Sequence, residues 1–173
     1  MAAKKALEDP SMTFIKRIVE LVTKAQTIAT QNGYPNLLQP GLVKEMVVAD
    51  ILGHEVSREK HQADAFDPDE PGRQFEYLSC FEDGTFQLDR MFKAPDDKRQ
   101  QSLSRISRNA MIYCAIFERS KPLTVLEIWS ITPQAMLIEA ERQLDASQND
   151  ISHIGFTRKW ARKNGSCVYS RVS

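Results

Sequence analysis

The 173-residue chain reads as an α+β fold, with helices first and then a mixed central β-sheet with helices interspersed. Three observations carry this. Apolar residues recur at helical spacing near the N-terminus, two near-continuous apolar runs lie in the second half, and clusters of Pro, Gly and charged turn formers separate the segments. This length makes one domain, residues 1–173, the default, and a chain of this size buries a core without disulfide or metal staples. With 42% hydrophobic and 27% charged residues, the composition excludes wholesale disorder.

Taken in order, Ser11 precedes Phe14, Ile15, Ile18, Val19, Val22, Ala25 and Ile28. That spacing predicts a helix over Met12–Thr30, stopped by Asn32-Gly33. A Pro-bearing turn leads to a second helix, Leu42 to Leu52, ended by Gly53. Residues 54–73 are polar and rich in turn formers, with short extended pieces at most. Gln74 to Phe81 reads as a strand, and Glu82-Asp83-Gly84 turns it into an extended piece near Thr85–Leu88. Lys98 to Arg108 reads as a helix with Leu103 and Ile106 inward. Ala110–Phe117 and Leu123–Ile131 are apolar strands, continuous enough to be covered on both faces. Pro133 opens a helix to about Leu144. From Asp145 the chain is expected to hold a loop, a short helix and a last strand around Val168–Ser170.

Lys and Arg total 23 and so do Asp and Glu, which excludes a polycation of the histone kind. Cys80, Cys114 and Cys167 are odd in number and fit no metal-finger spacing, as expected of free thiols in a reducing compartment. No apolar run approaches the ~18 residues of a membrane span, and the N-terminus has no apolar signal core. The expectation is a soluble, cytoplasmic protein without a membrane partner. Charge is nevertheless segregated. Residues 64–83 hold Asp64, Asp67, Asp69, Glu70, Glu76, Glu82 and Asp83 against Arg73 alone, whereas Lys98–Arg108 and Ile151–Ser173 contain bases and no acid. An acidic pocket beside basic walls suits a metal-dependent enzyme acting on a polyanion; two solvated faces of a balanced surface would give the same pattern.

The informative stretch is Lys60-His61-Gln62-Ala63-Asp64-Ala65-Phe66-Asp67 followed by Gly72-Arg73-Gln74-Phe75-Glu76-Tyr77-Leu78-Ser79. It sets one acid at a loop or strand start and a second within a strand, and two such carboxylates can share a Mg²⁺ ion. In order and spacing the chain resembles the PvuII-like type II restriction endonucleases of the PD-(D/E)XK nuclease superfamily. The resemblance runs collinearly from Leu42–Gly53 through Arg58-Glu59, Asp64–Asp67 and Gly72–Ser79. It continues through Gly84–Met91, where that family has a major-groove recognition segment, and through Leu103–Pro133 and Asn149–His153 to Gly165–Tyr169. It implies an α/β/α core and an N-terminal helical dimerisation segment, residues 1–33, ahead of a catalytic and DNA-recognition core over 42–173. It also implies Mg²⁺-dependent hydrolysis of double-stranded DNA by a homodimer at a short palindromic site, with Mn²⁺ as a substitute ion. Asp64 and Glu76 would be the metal ligands, with Glu45 of the preceding helix as a further acid.

The family usually carries a lysine two residues after the strand acid; here that position is Leu78, which cannot bond to a water. Lys60, or alternatively Lys93, would supply the missing cation, unless metal alone suffices or the site binds DNA without cutting it. Ala63 also replaces the family's proline before Asp64. Base-edge readers are expected in the matched segments: Gln87, Asp89 and Arg90, with Ser152 and His153 from a second loop. Asp89–Arg90 as a local ion pair is the competing reading. Arg158, Lys159, Arg162 and Lys163 are expected to track phosphates, and Trp160 among them serves either core or contact. Besides the nuclease, the sequence leaves open a catalytically inactive, sequence-specific DNA-binding protein of the same fold and a domain whose segregated charge meets a protein partner.

Overall fold

The computed structural model describes residues 13–58 and 63–171. In chain order its elements are α1 (Phe14–Gln31), α2 (Leu42–Leu52), β1 (Glu55–Val56), β2 (Ala65–Phe66), β3 (Gln74–Phe81), β4 (Thr85–Phe92), α3 (Asp96–Ser107), β5 (Met111–Glu118), β6 (Lys121–Ile131), α4 (Pro133–Ala146), β7 (Ile151–Thr157), α5 (Arg158–Asn164) and β8 (Ser166–Ser170). They fall into two compact units, Met1–Val43 and Lys44–Ser173.

In the first unit, the Thr13 hydroxyl caps α1 by accepting from the Lys16 N–H at 3.3 Å. Gln26 then ties down the turn after the helix: its Oε1 accepts from the Leu37 N–H at 2.9 Å and its Nε2 donates to the Pro35 carbonyl at 3.2 Å. Gly33 ends this run at φ +88°, a conformation open to glycine at little cost. Much of the apolar stripe read from the sequence is exposed. Phe14 is 72% exposed, and Ile15, Ile18, Val19, Leu21 and Ile28 are also exposed, while Ala29 is buried.

The second unit is a mixed α+β arrangement built on a six-stranded sheet of order β1-β2-β3-β5-β6-β8. Only the β3–β5 pairing is parallel; the others are antiparallel. β5 earns its central place by sequence: Ile112 and the run Cys114–Phe117 are all buried, as expected of a strand covered on both faces. On one face Leu78, Cys80, Ile112, Cys114, Ile116 and Ile131 meet Leu103 and Ile106 of α3, Met136, Ala140 and Leu144 of α4, and Ala161 of α5. Each such fully buried side chain contributes about 1.5–3 kcal/mol relative to exposure. On the other face Phe75, Tyr77 and Tyr113 form an aromatic cluster with His54, whose ring stacks on Phe75 at 4.1 Å.

Most element boundaries shift by one or two residues, and the β4–β7 region changes most. The extended piece at Thr85–Leu88 continues to Phe92, because a partner strand is available. That partner, β7, occupies Ile151–Thr157, where a loop is expected from sequence. Its inward residues are Ile154 and Phe156, but Gly155 between them and the polar Ser152-His153 pair weaken the strand signal. β4 and β7 pair as a separate two-stranded ribbon, with Phe86, Leu88, Met91, Ile154 and Phe156 turned into the core. The Trp160 ring is half-buried against Phe156 at 4.8 Å, so its packing belongs to this core.

Candidate active site

Asp64 and Glu76 are brought together by strand register. Ala65 pairs with Phe75 and Phe66 with Gln74; one further step along the same antiparallel ladder sets Asp64 opposite Glu76. The Tyr77 N–H donates to Asp64 Oδ2 at 2.7 Å and the Ser57 N–H donates to its carbonyl at 2.8 Å, so Asp64 is held from two strands. From the far face of β3, Tyr77 is fixed in turn by a 2.7 Å hydrogen bond between its hydroxyl and His54 Nδ1. Burial holds the His54 ring below its ordinary pKa and hence neutral at physiological pH.

Both acids open onto a cleft of about 640 Å³, lined also by Arg90 and Phe92 of β4, by Gln101, Ser102, Ser104 and Arg105 of α3, and by Arg108 just past it. Loss of hydration dominates the electrostatics of the acids. Burial, then the Asp64 charge, push the Glu76 carboxyl up to about 8 against the pull of Arg108 and Arg105. Burial also raises Asp64, despite the Tyr77 N–H and the same two arginines. Glu45 on α2 is raised to about 7 by burial and by Asp64, so it shares their field. Acids whose charged forms are disfavoured by burial and by one another are eased by positive charge nearby.

The donor set fits a hard divalent cation. Mg²⁺ is commonly bound through one or two carboxylates, with water and substrate phosphate completing its shell, and Asp64 with Glu76 provide that number. Among the described residues no three His, Cys, Asp or Glu side chains are arranged to hold an ion by themselves, so Glu45 does not complete a ligand set.

The other predicted residues are dispersed. Lys60 lies outside the described residues. Lys93 does not line the cleft; its Nζ donates to the carbonyls of Ser147 at 2.6 Å and Asp145 at 3.4 Å, at the end of α4. Leu78 is 7% exposed and part of the core. Gln87, Asp89 and His153 are exposed on the ribbon, where Asp89 pairs with His153 at 2.9 Å and not with Arg90. Between Leu88–Ile154 and Met91–Ser152 the ladder slips, so that Asp89 and Arg90 together oppose His153. Arg90 takes φ +51° at this bulge and lines the acid cleft. Ser152 spends its hydroxyl on Ser147 at 2.6 Å. Arg162 is committed to Glu127 through two hydrogen bonds of 2.8 and 3.0 Å. Lys159 and Lys163 are exposed on α5, and Arg158 is half-buried.

Sequence reasoning missed Gln101, Arg105 and Arg108 as members of the site. The signal was present in the acid-free run Lys98–Arg108, because positions 101, 104, 105 and 108 share one helical face. Compared with known proteins, the chain matches no protein-family model and no curated sequence.

Proposed function

We propose that the chain is a divalent-metal-dependent endonuclease of the type II restriction kind, hydrolysing phosphodiester bonds of double-stranded DNA at a short, palindromic site. The observation that carries this reading is one cleft in which two register-paired acids, Asp64 and Glu76, face Arg90, Arg105 and Arg108. A phosphodiester needs both parts of this arrangement. The arginines attract and orient the anion, and the acids retain a cation where the phosphate must be attacked. When bound, a Mg²⁺ or Mn²⁺ ion lowers the pKa of a water and offsets charge growing on a phosphate oxygen. Asp64 is kept in place by the Tyr77 N–H, and Glu76 by its position inside β3. Water adds to phosphorus and gives up a proton, the bond from phosphorus to the sugar oxygen breaks, and that oxygen takes a proton from solvent.

The fold is compatible with the α/β/α core of the PD-(D/E)XK superfamily, through its mixed sheet, its helices and its paired acids. A two-stranded ribbon can enter a major groove, and the exposed Gln87, Asp89 and His153 on β4–β7 suit base-edge contacts. The exposed apolar residues of α1 suit the contact between two copies that a palindromic site requires.

One observation favours the non-cutting alternative: Leu78 stands in the core where a lysine would be expected. Both readings meet one experiment. Purified protein is incubated with phage-length DNA in Mg²⁺, Mn²⁺ or EDTA, beside Asp64→Asn. Discrete metal-dependent fragments from wild type and none from the variant support the enzyme. A gel shift without cleavage in any metal supports a binding protein. Absence of both cleavage and DNA affinity refutes both readings and leaves the protein-partner role.

A further inference from the structure

We propose that Arg108 and Arg105, at the C-terminal end of α3, hold the phosphate under attack and supply the cationic charge that strand position 78 lacks. This rests on the nuclease reading above. Among the described residues no lysine lines the cleft. Leu78 is occupied by the core, and Lys93 is engaged with the end of α4. Among the described residues the cations that line the cleft with the acid pair are arginines.

Their placement is built. Ser102, buried at the floor of the cleft, accepts from the Phe92 N–H at 3.0 Å and locks the helix to β4. Buried Asn109 donates through Nδ2 to the carbonyls of Arg105 at 2.7 Å and Ile106 at 3.3 Å, fixing the last turn between the two arginines. Arg105 Nη1 donates to the Asp89 carbonyl at 3.2 Å, which anchors its guanidinium at the ribbon bulge. From Gln101 to Arg108 the cleft-facing stripe runs seven residues, about 10 Å of helix. That exceeds the ~3.4 Å axial rise between successive phosphates of one DNA strand. The stripe is therefore long enough to reach more than one phosphate of the same strand. A guanidinium offers paired N–H donors matched to two phosphate oxygens, which an ammonium in the same place does not.

The test compares wild type, Arg108→Ala, Arg108→Lys and Arg105→Ala/Arg108→Ala in cleavage of plasmid DNA, with kcat and KM resolved. Each protein is also melted with and without Mg²⁺ to read ion binding apart from activity. The expectation is a loss of at least about 100-fold in kcat for the double variant, the scale of removing one donor to transition-state charge. Arg108→Lys should recover part of it, and the Mg²⁺-induced rise in Tm should persist in every variant. Wild-type kcat in the double variant would overturn the assignment while leaving the nuclease reading intact. So would loss of the Mg²⁺-induced rise together with activity, because the arginines would then be supporting the metal site. Wild-type protein that cuts nothing in Mg²⁺ or Mn²⁺ overturns the reading and the assignment together.

Discussion

Glu76→Gln is the most discriminating perturbation of the acid pair, because it removes one ionisable group and leaves the side chain's shape. In the unfolded chain a glutamate titrates near 4.5, whereas in the fold Glu76 titrates at about 8. The folded protein therefore binds the proton more tightly. The stability this confers is fully present below about 4.5, falls as pH rises, and is gone once pH exceeds about 8. At about 1.4 kcal/mol per pH unit, the whole displacement corresponds to an upper limit of about 5 kcal/mol. Asp64 and Glu45 share the same field and relax when Glu76 loses its charge, so the variant is expected to recover about 2–3 kcal/mol at pH 8.5. The assay is urea unfolding in EDTA between pH 5 and 9, followed through Trp129 and Trp160, which both lie in the Lys44–Ser173 unit. Wild type should lose stability steadily across this range, and Glu76→Gln should match it at pH 5 and exceed it at pH 8.5. Mg²⁺ at a hundred times its Kd should return about 2.7 kcal/mol to wild type at pH 8.5 and much less to the variant. Parallel curves for the two proteins, with equal responses to Mg²⁺, would refute the placement of Glu76 in a desolvated acid pair.

Four other outcomes follow from the packing. Leu78→Lys should lose at least about 3 kcal/mol in denaturant unfolding and gain no cleavage, since it puts an ammonium into the core; a stable, faster enzyme would show that the position faces the cleft. Gly165→Ala should lose about 1–3 kcal/mol, because a Cβ there meets Ile131 Cδ1 and sits 2.7 Å from the Ser130 carbonyl oxygen; an unchanged melting curve would contradict that close approach. If α1 joins two copies as proposed, Ile18→Glu on its exposed stripe should lower the mass in light scattering from dimer to monomer with little change in melting of the second unit; a wild-type chain already monomeric would remove α1 from that role. Asp89→Ala should change stability by no more than about 1 kcal/mol, the pair being exposed on both sides; sequencing of cut ends should reveal a changed site preference, and an unchanged one would remove Asp89 from readout.

Strand β3 was legible to the residue, Gln74 to Phe81, because its apolar alternation is bounded by Gly72 and by Glu82-Asp83-Gly84. Asp64 and Glu76 stand out in sequence as two acids at the edges of extended pieces, but what brings them side by side is the Ala65–Phe75 register, a non-local pairing that no window of sequence contains. β7 failed for the same reason. Ser152 and His153 carry little strand propensity, and Gly155 opposes it; the segment is extended because β4 offers it a ladder and because Ile154 and Phe156 find the core. The stripe on α1 was legible as a helix face, yet helical spacing cannot tell a face buried in its own chain from one left exposed. Exposure, with Phe14 at 72%, separates those two cases.

The cation was the hardest part to read, and the reason is instructive about how such sites tolerate change. A strand residue two places after Glu76 projects from the same face of the sheet as Glu76 itself. In this chain that direction leads into the packing of Leu103, Ile106 and Ile112, so position 78 serves the core. Searching nearby lysines in sequence finds Lys60, which lies outside the described residues, and Lys93, which is engaged at the end of α4, whereas proximity in space is what brings a charge to the acids. α3 returns across the end of the ribbon and carries Arg105 and Arg108 to the acids from about thirty residues away along the chain. The bulge at Asp89–Arg90 makes the same point at smaller scale. One extra residue in β4 leaves Asp89 on the exposed face with His153 and sends Arg90 into the cleft, so two neighbours in sequence face two different surfaces. Arg105 bonds the carbonyl between them. The exposed face that carries Asp89 and His153 and the cleft that holds the acid pair thus meet at a single peptide.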